Sequence, residues 1–119
     1  MTNRKETKQS IVFKESLNRL NSTNTLTAIG TTESDALLIS KAKTVHIITA
    51  GAANTGVKLP SASASGSVLF IKNFTNTAKK LYVTGADTID DITDNSGLTI
   101  TANAGIVVID ALTTAWVSF

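Results

Sequence analysis

The sequence has no cysteine, which excludes disulfides and thiolate metal sites outright. It has one histidine, His46, and no Gly-x-Ser-x-Gly element, so a nucleophilic triad finds neither its base nor its elbow. There is no apolar run of about 18 residues, the length a membrane-spanning helix needs. The first ten residues, MTNRKETKQS, lead into only three consecutive apolar residues, Ile11 to Phe13. That is too short for a secretory h-region, and the expectation is synthesis in a cytoplasm. Aromatic residues make up 5% of the chain and charged residues 17%, the latter below the roughly 25% of an average soluble domain.

Threonine, serine, asparagine and alanine fill the gap left by the missing charge. Threonine occurs 19 times; it is β-branched and suits strands, while its hydroxyl suits turns. A surface of threonine and asparagine in place of lysine and glutamate is typical of proteins that assemble. With 119 residues, 42% of them hydrophobic, the chain is long enough for one domain with one core. Net charge is only +2, but it is unevenly placed. Residues 1–25 hold Arg4, Lys5, Lys8, Lys14 and Arg19 against Glu6 and Glu15, a net +3; the remainder holds six lysines against seven acids, a net −1. Such a basic head reads either as a solvated arm or as an element that meets an acidic partner.

Residues 1–9 are polar. In 10–20, SIVFKESLNRL, Phe13, Leu17 and Leu20 share one stripe of a short helix; a strand from Ile11 to Lys14 is the competing reading. Asn21 to Asn24 reads as a linker or turn. From about residue 26 the apolar period becomes two. Short runs follow at Ala36–Ser40, Val45–Thr49, Val57–Leu59, Val68–Asn73, Lys80–Thr84, Leu98–Thr101, Ile106–Asp110 and Ala115–Phe119, with weaker signals at Thr88-Ile89 and Ile92. Pro60 ends one run, since proline cannot donate to a central ladder. Asp94-Asn95-Ser96-Gly97 is a clear turn. Val68–Ile71 is apolar on both faces and needs cover on both. About eight strands with turns every 8–12 residues predict an all-β, antiparallel, jelly-roll-like β-sandwich over 26–119, preceded by an arm or short helix over 1–25.

Chemistry is sparse. His46 falls inside a strand, on the face of Ile48 and opposite Val45 and Ile47, and reads as structural. Asp87, Asp90, Asp91 and Asp94 form an acidic loop that suits a weak cation site, although EF-hand spacing and its closing glutamate are missing. Read as a carboxylate pair for glycoside cleavage, the loop lacks aromatic platforms. Gly51 and Gly56 are not followed by the Lys-Ser/Thr of a phosphate cradle. Lys79-Lys80 is a weak basic patch, and no aromatics interleave with bases as a single-strand-binding surface requires. The expectation is no enzyme, no cofactor, no structural metal and no nucleic acid.

Five short motifs carry a resemblance: Leu59-Pro60, Gly66, Ile71-Lys72-Asn73, Asp87-Thr88-Ile89-Asp90 and Trp116. Together they resemble a β-sandwich module of tailed-bacteriophage virion proteins, among them head fibres and head decoration proteins. Two departures bear on local turns: Asp91 stands where that module has glycine, and Ala111 to Ala115 replaces the usual Asp-Gly before the tryptophan. The resemblance implies no enzymatic activity. It implies a homo-oligomer, a trimer above all, displayed on a virion and contacting the major capsid protein or other virion proteins. The arm residues Arg4, Lys5, Lys8, Phe13, Leu17 and Leu20 are then the candidates for capsid attachment or oligomerisation. The alternative is a tail-fibre or baseplate module that binds a receptor or carbohydrate, with Tyr82 and Trp116 as the candidate platforms.

Overall fold

The computed structural model describes residues 23–93 and 95–119. The helix or strand expected within 10–20 therefore lies outside the described residues. Among those described, every regular element is a strand: β1 (Thr23–Thr27), β2 (Leu37–Leu38), β3 (Val45–Ala50), β4 (Gly56–Lys58), β5 (Val68–Asn73), β6 (Lys79–Tyr82), β7 (Thr88–Ile89), β8 (Ile92–Thr93), β9 (Leu98–Ile100), β10 (Gly105–Leu112) and β11 (Ala115–Ser118). Residues 23–25, placed by sequence in the arm, are strand.

The first six strands alternate between two sheets. Strands β1, β3 and β5 stack parallel in one sheet, and β2, β4 and β6 stack parallel in the other. Thr23 lies beside Val45 and Val45 beside Phe70; likewise Leu37 lies beside Val57 and Val57 beside Leu81. Each circuit of about 20–25 residues visits both sheets and returns one strand further along, the winding of a β-solenoid. The last five strands finish both sheets. Strand β9 adds antiparallel to β6 and β10 antiparallel to β5, followed by β11, β7 and β8. The result is a seven-stranded sheet, β1-β3-β5-β10-β11-β7-β8, and a four-stranded sheet, β2-β4-β6-β9.

This overturns the antiparallel jelly-roll sandwich. The strand positions agree closely with the expected ones, but the pairing does not. A turn signal shows that the chain reverses; it does not show whether the next strand pairs with its predecessor or crosses to the facing sheet. Parallel neighbours need a crossover connection, and here the crossover is itself a strand of the other sheet.

Period-two alternation puts one face of each sheet inward. Leu26, Ile48, Leu69, Ile71 and Val108 of the larger sheet meet Val57, Leu81 and Ile100 of the smaller, together with Leu59, Val83, Ile89 and Trp116, in one buried cluster. Each such aliphatic side chain contributes roughly 1.5–3 kcal/mol by leaving water. The outer face of the small sheet is covered in part by the loop after β1. There the Tyr82 hydroxyl donates to the Thr31 carbonyl at 2.8 Å. Its ring fits because Gly56 and Gly97 lack side chains: a Cβ on either would come within 2.5 and 2.8 Å of ring carbons.

The Asp90-Asp91 turn joining β7 to β8 shows what the missing glycine changes. Both aspartates sit at positive φ, 48° and 67°, as a two-residue type I′ hairpin turn requires of its central residues. The tight turn forms without glycine, at a steric cost to Asp91. Asp91→Gly is therefore expected to raise the unfolding free energy by about 1 kcal/mol, measured by urea denaturation. An unchanged or lowered midpoint would show that the turn is not strained at this position.

Candidate functional site

The most densely bonded polar group is one that sequence reading passed over as the end of a strand. Asp110, at zero exposure, is wrapped by the small-residue loop of residues 61–67. Its Oδ1 accepts the backbone N–H groups of Ser63 at 2.9 Å and Ala64 at 3.2 Å. Its Oδ2 accepts the Ser65 hydroxyl at 2.5 Å and the Ser63 hydroxyl at 3.1 Å. Lys41 Nζ completes the shell at 2.7 Å and also lies 5.6 Å from the centre of the Trp116 ring, a cation–π distance. Burial pushes the carboxyl upward, but the bonds from Lys41, Ser65 and Ser63 outweigh it and hold Asp110 well below the usual carboxylate range. The group is an ionised internal clasp whose oxygens are occupied by the protein itself. Lys41 and Asp110 stand 69 residues apart, so no local signal marks them as partners.

Three of the motifs singled out in the sequence build a second, adjoining clasp. Trp116 Nε1 donates to the Pro60 carbonyl at 3.0 Å, and Trp116 pairs with Ile89 in the ladder. Asp87 Oδ2 accepts the Ala62 N–H at 2.7 Å. Asp90 accepts the backbone N–H of Ser118 at 2.9 Å and also its hydroxyl. The loop after β4, the β7–β8 hairpin and β11 are thus joined to one another.

This placement divides the acidic loop. Asp87 is buried and bound to one segment, Asp90 turns to another, Asp91 is exposed, and Asp94 lies outside the described residues. Among the described residues no group of histidines and carboxylates is arranged to hold a metal ion. The arm residues Arg4, Lys5, Lys8, Phe13, Leu17 and Leu20 also lie outside the described residues. Tyr82 is 3% exposed and Trp116 0%, so neither presents a platform to a sugar.

Two further buried groups are cationic or can become so. His46 points inward, on the same face as Ile48. Its Nε2 is 3.1 Å from both the Ser40 and Lys43 carbonyls, so Nε2 carries the proton and donates it; Nδ1 has no partner. Burial pushes its pKa below the ordinary value. Lys79 is sealed in the core, with Nζ 3.1 Å from the Thr75 hydroxyl, and burial pushes it down too. Lys80 instead donates to the Thr99 hydroxyl at 2.8 Å. The two lysines therefore form no common basic patch.

The outer face of the large sheet has the opposite character. The residues that alternate with the core face it: Val45, Phe70, Val107 and Phe119 form one row across neighbouring strands, and Val68, Ile109 and Val117 form the next. Val68, Phe70 and Phe119 are 36%, 39% and 74% exposed. Val68–Ile71 was expected to be covered on both faces; the described residues cover one. Comparison with protein-family models, with curated proteins and with solved structures finds no match.

Two outcomes follow from the buried charges. Replacing Asp110 with alanine leaves Lys41 and several backbone donors unpaired, and is expected to cost about 3 kcal/mol of stability, read from urea unfolding; a loss below about 1 kcal/mol would show that the clasp is dispensable. For His46, the folded state takes up its proton less readily than the unfolded chain, whose histidine titrates near 6.5. Stability is present above that pH and falls as the pH drops through it. The urea midpoint of the natural protein should decline between pH 7.5 and 5, and His46→Phe should remove that part of the decline. Equal declines in both proteins would assign the effect to other groups.

Proposed function

We propose that this chain is a non-enzymatic structural protein that works by assembly, and that it serves in a tailed-bacteriophage virion as a capsid decoration or head-fibre component attached through its N-terminal arm. The observation that carries the assembly reading is the outer face of the large sheet, which the described residues leave uncovered and where neutral apolar side chains stand in rows along the ladder. Contiguous exposed apolar surface of this kind marks an interaction site in a soluble protein.

The phage assignment rests on the short motifs described above. The solenoid-like winding departs from the sandwich that the resemblance implied, so the fold adds nothing to it. What supports keeping it is that three of the five motifs meet in one region: Trp116 Nε1 donates to the Pro60 carbonyl, the Asp90 N–H donates to the Trp116 carbonyl, and Asp87 holds the neighbouring Ala62 N–H. The basic charge of residues 1–25 suits attachment to an acidic surface. The alternative, a tail-fibre or baseplate module reading a glycan, has no observation in its favour while Tyr82 and Trp116 stay buried.

Cosedimentation with capsids of the encoding phage tests the proposal. The full chain is expected to pellet with capsids. A variant carrying Arg4→Glu, Lys5→Glu and Lys8→Glu is expected to remain in the supernatant. Equal pelleting of the variant would remove the arm from the mechanism, and no pelleting of either protein would remove the capsid.

A further inference from the structure

We propose that the outer face of the large sheet packs against the same face of a second copy of the chain, forming a two-fold pair. This deepens the assembly reading above and rests on it.

Three observations select a second copy. The first is charge. The central rows, Val45, Phe70, Val107, Val68 and Ile109, carry none, and Lys72 at their margin spends its ammonium on the Asn103 carbonyl. A nucleic acid or an acidic partner would find only that marginal lysine, whereas the neutral rows match their own copy. The second is shape. These residues project from β3, β5 and β10, strands in continuous register, so the face is a regular pleated surface of the kind that packs sheet on sheet at about 10 Å. The third is area. Five strands (β1, β3, β5, β10 and β11) spaced about 4.8 Å apart, each about six residues long at roughly 3.3 Å per residue, present on the order of 500 Å². Two such faces bury about 1,000 Å², the lower limit for a specific interface.

The molecule also distinguishes its two outer faces. The small sheet carries Lys58 and Lys80 outward, each bonded to a neighbour, and lays a loop over Tyr82. Among the described residues the large sheet has neither device over Val68 and Phe70. Because the same patch meets itself, the pair is isologous and closed. The geometry therefore points to a dimer, where the family resemblance implied a trimer.

Light scattering coupled to size exclusion measures the mass of the full chain from about 1 to 100 μM, a range suited to an interface this small. The expected mass rises to twice the 12.5 kDa of one chain. Phe70→Lys should return it to one chain mass, while Leu38→Lys, at an exposed apolar site on the small sheet, should leave the doubled mass unchanged. Circular dichroism spectra of both variants should match the natural protein; if Phe70→Lys is unfolded, Val107→Thr replaces it in the same measurement. A single-chain mass throughout overturns the pairing. If deleting residues 1–22 then produces dimers, the face is covered by the chain's own N-terminal segment. A trimer, or a dimer indifferent to Phe70 and Val107, overturns the face while leaving the assembly reading intact. Capsid binding by a folded monomer would overturn the pairing and keep the virion role.

Discussion

Two sheets must each bury one face, and that shared burial organises the whole domain. The inward columns built from Leu26 and Ile48 on one side and Val57 and Leu81 on the other close a single core. Once it is closed, the successive strands of each circuit have only one register that keeps the columns aligned, because a one-residue slip would expose every inward side chain. The same constraint explains why the winding is regular although the connecting segments differ in length.

The core tolerates polar groups only where the chain supplies their partners. Asp110 is ionised and enclosed by Lys41 and the loop of residues 61–67. Asn73 donates to the carbonyls of Thr77 and Ile100, closing the neighbouring turn. These groups tie distant segments together, and their hydrogen-bonding capacity is directed inward. Leaving one of them unpaired in the interior costs far more than the pair contributes, so they read as fasteners. His46 is the exception within this set, with one ring nitrogen left without a partner. Function is then better sought on the outside, where apolar rows stand on a backbone that the core holds flat.

Three of the short sequence motifs, Leu59-Pro60, Asp87 to Asp90 and Trp116, take on a structural role in this setting. They close the far end of the molecule, where β7, β8 and β11 meet the loop after Pro60.

Much of this was legible in the residues. The apolar pattern placed Val45–Thr49, Val68–Asn73 and Ile106–Asp110 as strands and put His46 on the face of Ile48, because side-chain direction along a strand follows from local geometry alone. β1 was missed because Thr23 to Thr27 alternates threonine with a single buried leucine, Leu26, too little apolar signal against a turn-like Asn-Ser-Thr-Asn. The sequence by itself determined that the chain is built of short strands, where most of them lie, and that it lacks the residues for thiol or triad chemistry. Only the tertiary structure decided that the strands wind in parallel circuits, that Asp110 clasps Lys41, that the acidic loop is split between separate partners, and that the described residues leave one sheet face uncovered. Each of these depends on contacts between residues far apart in the chain, and nothing in a local pattern encodes which distant strand arrives alongside.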